Sequence, residues 1–490
     1  MPRVKGKKHI VLTGFLLFPS VLHAQKIQIR ESQLASFLTD AMPGFSATKL
    51  QEEAAELESQ SFQDQFTTIF GSKTSLGESD DPRQSSQIQR QTFQIQQKLN
   101  AGLGVFGGVH IERQKLSPEP FFPPPFANQR LYSPVLMMGI EIDLWKNFLG
   151  RFDQKQQVHL QRLVEKSKLK TNLDRKSLHI TLRSLFWQLA SQDRRIEIYR
   201  KLVQSAERGY RDAQARQRDH VADQGMVAKL SANLSSAQAQ YQAASIQKHF
   251  LEKELKTLIP SLQGRDLDII ASYHSIRQTV SQSVKCAETV GRLRSIPFDH
   301  TEYDDMIRTI QEALELEQGL LDNYDRADVK LSYQAQSFGL DEDFSESQKQ
   351  AASLDKTGYE IVLSIDVPLG RQLRQSKKQQ LQLSERRARI DQSNLEAQFK
   401  ATHESLTHVI KHLSYAVDLF HKSITQLETS FHNTGTKFRQ GRISVHEYLS
   451  DQDMLLQTQL EVLNIEERII LETLNYFRVF NQSPCELNRI

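Results

Sequence analysis

Two short blocks of the chain alternate apolar and polar residues, and two very long ones repeat apolar residues at three and four spacing. In the first short block Phe93, Ile95, Leu99, Ala101, Leu103, Val105, Val109 and Ile111 hold odd positions, while Gln94, Gln96, Lys98, Asn100, His110 and Glu112 hold even ones. Period two predicts a strand with one apolar face. Its partner covers 135–144, where Leu136, Met138, Ile140, Ile142 and Leu144 alternate with Gly139, Glu141 and Asp143, across a proline-rich, aromatic loop at 117–134. Gly102, Gly104, Gly107 and Gly108 suit bends in a barrel wall. The second block repeats the plan. Val329, Leu331, Tyr333 and Ala335 alternate with Lys330, Ser332 and Gln334, and Tyr359, Ile361, Leu363, Ile365 and Val367 alternate with Glu360, Ser364 and Asp366 across an acidic loop.

Each hairpin leads into a long helix. From 152 to about 220, and from 371 to about 438, there is no proline, and a stretch of about 68 residues makes a rod of roughly 100 Å at 1.5 Å per residue. Stripes such as Leu182, Leu185, Phe186, Leu189 and Leu413, Val417, Phe420, Ile424, Leu427 are the seams by which such rods pack as coiled coils. The rods turn back at Asp223-Gln224-Gly225 and at Gln440-Gly441, where glycine permits the conformation that ends a helix. Gly225 and Gly441 lie 216 positions apart, in keeping with an internal twofold repeat.

The expected organisation is a signal peptide at 1–24 and an N-terminal helical segment at 25–90. A first β-hairpin follows at 91–145, then a helical hairpin at 146–260 with its tip near 219–226. An irregular belt and upper helix at 261–326 precede a second β-hairpin at 327–369, a second helical hairpin at 370–480 with its tip near 438–443, and a tail at 481–490.

Strands of about ten residues with one apolar face match what a tilted strand needs to cross a bilayer, and equally a sheet with one wet face in a soluble sandwich. In lipid, four strands leave unpaired edges, so a barrel requires several subunits to complete it. Arg3, Lys5, Lys7 and Lys8, an apolar run at 10–22 and Ala24 form a secretory signal cut between Ala24 and Gln25, and the run is too short to span a membrane. No later apolar run has spanning length. Cleavage takes the formal charge from +3 to −1, which removes the electrostatic basis for nucleic-acid binding. With 38% apolar and 25% charged residues, the chain suits elongated helices better than one thick core. Cys286 and Cys485 either pair in an oxidising compartment or are buried separately.

No catalytic, cofactor-binding or metal site emerges. His403, His408 and His412 have only loose helical spacing and lack the zinc-protease glutamate. There is no phosphate-binding glycine loop and no nucleophile elbow.

The segment Lys437-Phe438-Arg439-Gln440-Gly441-Arg442-Ile443-Ser444-Val445-His446-Glu447-Tyr448-Leu449 resembles the tip motif of the TolC-type outer-membrane factors. Gly225-Met226-Val227-Ala228-Lys229-Leu230 is a looser counterpart in the first half. The entries Ile142-Asp143-Leu144-Trp145 before Gly150-Arg151, and Ile365-Asp366-Val367-Pro368-Leu369-Gly370, are also similar. The resemblance implies a mainly α fold with membrane β: four strands per subunit in a 12-stranded barrel of a homotrimer, continued by a periplasmic tunnel. It implies a passive, non-enzymatic exit duct in the cell outer membrane, serving a tripartite efflux pump or type I secretion system with a periplasmic adaptor and an inner-membrane transporter. Phe438 and Glu447 then fall on the family's tip constriction, with Asp451 standing beside the position expected for a second acid. Asp219, Asp223 and Gly225 sit at the other mouth, and Gly441, Arg442, Ile443, Gly225, Met226 and Val227 are adaptor-docking candidates. For Glu447 a solvated surface role stays open. The competing expectation is a soluble periplasmic coiled-coil adaptor or scaffold, which would place a small β-domain beside one hairpin.

Overall fold

The computed structural model describes residues 26–480 apart from 40–41, 82–83, 118–129, 220–222, 293–297, 299–300, 322, 324 and 369–371. The signal segment 1–24, loop positions 121–126, Cys485 and the tail 481–490 lie outside the described residues. In chain order the elements are β1 (Lys26–Ile29), α1 (Pro43–Asp64), β2 (Thr68–Asp81), β3 (Gln84–Leu99), β4 (Leu103–Ser117), β5 (Arg130–Asp143), α2 (Arg151–Arg218), α3 (Gln224–Leu258), β6 (Asp266–Ile269), α4 (Tyr273–Arg292), α5 (Glu302–Leu321), β7 (Asp328–Phe338), α6 (Phe344–Ser353), β8 (Thr357–Asp366), α7 (Gln372–Glu404), α8 (Ile410–Arg439) and α9 (Val445–Val479).

α2 is one helix of 68 residues, and α3 returns along it. The second rod is interrupted: α7 passes through a π-helical turn at Ser405–Val409 before α8 continues. There the Thr407 hydroxyl donates to the His403 carbonyl at 3.0 Å and the Glu404 carbonyl at 3.2 Å. Such back-bonding competes with the helical ladder and bends it, which period-3.6 patterning does not reveal. α9 returns along α8. Among the described residues no helix is long and apolar enough to cross a membrane.

The main core lies where the two hairpins, α4 and the short parallel pair β1–β6 converge. Leu182, Phe186 and Leu189 of α2, Leu255 of α3, Ile276 and Val290 of α4, Ile410 of α8 and Ile469, Leu474 and Phe477 of α9 are all buried there. Each such side chain stabilises by about 1.5–3 kcal/mol. Glu31 accepts from Arg183 Nε at 2.7 Å and from Trp187 Nε1 at 3.0 Å, tying the N-terminal segment to α2. Cys286, in the same core, is disulfide-bonded.

The sheet corrects the expectation of four strands. Six strands pair antiparallel in the order β2-β3-β4-β5-β7-β8. The run read as one strand at 93–111 is two strands joined by a turn at 100–102, with Leu99 opposite Leu103 and Phe93 opposite Val109. A three-residue turn keeps odd positions facing odd positions, so the alternation continues through it unbroken. The segment 25–90, expected to be helical, contains α1, all of β2 and the beginning of β3. The sequence does not announce β2, because Gly71, Ser72, Lys73, Thr74, Ser75 and Gly77 leave little alternation. The two halves of the chain therefore contribute unequally, four strands before the first helical hairpin and two before the second.

Registers align one face across all six strands: Phe70, Ile95, Gly107, Met138, Ala335 and Tyr359 lie in one row, and Val105, Ile140, Tyr333 and Ile361 lie in another. The opposite face carries Lys73, Gln94, Gln96, Lys98, His110, Glu112, Glu141, Lys330, Gln334 and Glu360. At its foot the sheet is locked to the helices. Gly102 has φ +70° and Gly150 φ +73°; a Cβ on Gly150 would stand 2.0 Å from the Asn100 carbonyl oxygen and one on Gly102 2.3 Å from that of Asn147. Only glycine fits at either place.

Candidate functional site

The far ends of the two helical hairpins form the tip. α8 ends in a Schellman motif: Gly441 takes φ +72°, Arg442 N–H donates to the Lys437 carbonyl at 2.9 Å, and Gly441 N–H donates to that of Phe438 at 3.0 Å. α9 is capped by Ser444, whose hydroxyl accepts from Glu447 N–H at 3.2 Å. Glu447 thus occupies the first turn of α9, where a carboxylate also complements the helix dipole, and its side chain is exposed.

The first hairpin turns differently. Asp219 is the residue after α2, and Asp223 caps α3 by accepting from Met226 N–H at 2.6 Å. Gly225 lies inside the first turn of α3 and does not take a positive φ. The expected equivalence with Gly441 is therefore corrected: here an aspartate caps the returning helix, and the glycine serves no conformational need. Asp219, Asp223 and Arg442 are exposed.

Phe438, expected at a constriction, is only 2% exposed. Its ring stacks on Tyr448 with centroids 4.7 Å apart, and the Arg216 guanidinium lies over it at 5.0 Å. Met226, Val227 and Ile443 pack against the cluster of Ala213, Leu230, Phe438 and Tyr448, so these three docking candidates also hold the two hairpins together. Asp451 accepts from Thr434 Oγ1 at 2.6 Å and Ser430 Oγ at 3.1 Å, an α8–α9 clamp.

A polar clasp above the tip was not legible in the sequence. Gln452, 4% exposed, accepts from Asn233 Nδ2 at 2.9 Å and donates to Ser205 Oγ at 3.2 Å. It joins α9 to both helices of the first hairpin. Gly209 lies beside this clasp, and a Cβ there would stand 3.7 Å from the Tyr448 ring, an ordinary packing contact.

A second buried polar group sits in the main core. Glu466 of α9, 1% exposed, accepts from the Tyr273 hydroxyl at 3.3 Å and meets His421 Nε2 at 3.2 Å. Burial pushes its carboxyl up to about 7, against the pull of Arg277 and Arg194. Burial and Arg277 hold His421 below the usual imidazole range.

A groove of about 1140 Å³ between α4 and the α7–α8 rod is lined by Glu288, Arg292, His403, Glu404 and His408. Among the described residues no group of three or more His, Cys, Asp or Glu is placed to hold a metal ion.

No protein-family model and no curated protein sequence matches the chain. Solved structures do. The outer membrane protein VceC from Vibrio cholerae superposes with a TM-score of 0.62 at 13% identity, covering 92% of this chain and 95% of that one. The Campylobacter jejuni CmeC outer membrane channel gives 0.63 at 12% identity, over 92% and 85%. The Neisseria gonorrhoeae MtrE outer membrane channel, in its open state, gives 0.60 at 11% identity, over 92% and 88%. The chain has the fold of these outer-membrane channel proteins.

Proposed function

We propose that the chain is the subunit of an outer-membrane exit duct: a trimer whose sheets join into a lipid-embedded barrel and whose helical hairpins form a tunnel reaching into the periplasm. The observation that carries this reading is an apolar sheet face left uncovered directly above 68-residue rods. Tyr359, Phe70, Met138 and Ile361 on that face are 75%, 66%, 62% and 61% exposed, an arrangement that water penalises and lipid rewards. A soluble scaffold has no use for such a face.

The hairpin tips are where a periplasmic adaptor and, through it, an inner-membrane transporter engage the duct, with Gly441, Arg442 and Gly225 on the accessible surface. Passage is passive, with energy supplied by the transporter. Opening separates the hairpins at the tip, through the Phe438–Tyr448 stack and the Gln452 clasp. Glu447, Asp219 and Asp223 charge the mouth alongside Arg218, Arg439 and Arg442, so the mouth carries both signs. Efflux of small molecules and type I secretion both suit such a duct. The three structural relatives are outer-membrane proteins or channels by description, which supports the location.

The test is expression with the signal segment, separation of inner and outer membranes, and crosslinking of the detergent extract. A trimer recovered only from the outer membrane is the expected result. A soluble periplasmic monomer overturns the reading and promotes the scaffold.

A further inference from the structure

From the six-stranded sheet we infer that the barrel closes between β2 of one copy and β8 of the next, giving a trimer 18 strands rather than 12. This rests on the duct reading above. β2 and β8 are the sheet's two edges. Because all five pairings are antiparallel, the two edges run in opposite directions, so the edge of a neighbouring copy continues the antiparallel pattern. Neither edge strand contains proline, so every residue along both edges has an N–H to donate, and Lys73 of β2 and Glu360 of β8 lie on the polar face of the sheet. In lipid such edges must be paired.

A 12-stranded trimer would require the β2–β3 hairpin to stand outside the wall and β4 to be the closing edge. β4 is not available: it pairs with β3 along its full length, from Leu99–Leu103 to Ser85–Ser117. The hairpin is also fixed at the level of the wall. Lys98 of β3 meets Asp153 of α2 at 2.9 Å and reaches back to Gln65, which precedes β2, at 3.3 Å. The turn at 100–102 is interlocked with the α2 entry through Gly102 and Gly150. Phe70, Phe93 and Ile95 continue the apolar face of the other four strands. Lys73, Gln94 and Gln96 continue the polar one.

With strands about 4.8 Å apart and tilted about 40°, 18 strands enclose a cylinder about 36 Å across, against about 24 Å for 12. Barrels of that strand number leave an open aqueous channel. Selection by size then rests with the helical section, and the barrel admits a hydrated polypeptide as readily as a small solute.

The experiment pairs cysteines on the outward face across the joint, with native Cys286 already disulfide-bonded. Thr74→Cys is combined in turn with Tyr359→Cys, Ile361→Cys, Leu363→Cys and Ile365→Cys, and Val105→Cys of β4 with the same set. Oxidation of the outer-membrane protein is expected to give covalent dimers and trimers in at least one Thr74 pairing and in none with Val105. Crosslinks through Val105 in an outer-membrane trimer overturn the inference and leave the duct reading intact. Strand counting in a cryo-EM map of the unmutated protein decides independently of any variant: 18 supports the inference, and 12, from two copies or from four strands each, overturns it. A protein that never reaches the outer membrane defeats the duct reading, and the fractionation identifies that case.

Discussion

The Lys98 ammonium at the foot of β3 lies 2.9 Å from the Asp153 carboxylate in the first turn of α2, and Asp153 is only 3% exposed. Asn147 completes the site, donating from Nδ2 to Asp153 at 2.6 Å while its Oδ1 accepts from the N–H groups of Phe152 and Asp153. One buried carboxylate thus joins sheet to rod.

Lys98→Met leaves that carboxylate without its cation. Breaking a buried pair costs about 3–5 kcal/mol; Lys98 is itself 40% exposed, so about 1–3 kcal/mol is expected after solvent screening. Urea denaturation of the detergent-extracted protein measures it. In a double-mutant cycle, adding Asp153→Asn recovers part of the loss.

The glycines at the two ends of the molecule separate strain from collision. Gly441 has open space around its Cβ position, so Gly441→Ala is expected to cost about 1–2 kcal/mol, the left-handed penalty alone. Gly150→Ala adds a collision with the Asn100 carbonyl at 2.0 Å and is expected to abolish assembly of folded protein in the membrane. Yields of heat-modifiable oligomer on a semi-native gel distinguish the two.

Gln452→Leu removes both clasp bonds and leaves the Asn233 amide group without this acceptor. A loss of about 1–3 kcal/mol raises local opening at the tip roughly 5- to 150-fold. Hydrogen exchange of the backbone around 205, 233 and 452 is expected to accelerate accordingly, with exchange in the main core unchanged. Equal protection in mutant and parent would show that the clasp holds nothing.

Glu466 makes stability depend on pH. It is faced by Tyr273 and Arg277 of α4, Arg194 of α2 and His421 of α8, and His421 in turn feels Asp418. Its folded value of about 7 stands above the ordinary 4.5, so the folded state binds the extra proton. The resulting stabilisation is fully present below about pH 4.5 and is lost as pH rises through about 7. Glu466→Gln mimics the protonated form. Relative to the parent it is expected to gain about 1–3 kcal/mol at pH 8 and nothing at pH 4.5, as read from denaturation midpoints across the range. His421, held low by burial, opposes this trend, and because it touches Glu466 the comparison is repeated in a His421→Gln background. A pH-independent difference between the two proteins would remove Glu466 as the titrating group.

What the sequence determined by itself is what repeats locally. Proline-free runs with apolar stripes specify rods of about 100 Å, since helix formation depends on neighbours three and four residues away. Alternation at 135–144 and 359–367 specifies strands with one apolar face, because the pleat has period two. The tip motif around Gly441 was legible for the same reason: a Schellman turn is built from consecutive residues.

Only the tertiary structure decided how many strands there are, since parity survives a three-residue turn and Leu99 and Leu103 read as one continuous face. β2 depends on β3 beside it, with a sequence too rich in glycine and serine to announce a strand. The burial of Phe438 against Tyr448 and Arg216, the reach of Gln452 to Ser205 and Asn233, and the contacts of Glu466 with Tyr273 and His421 all join residues from different helices. Such contacts depend on which faces the rods turn toward one another, and no periodicity along a single helix encodes that.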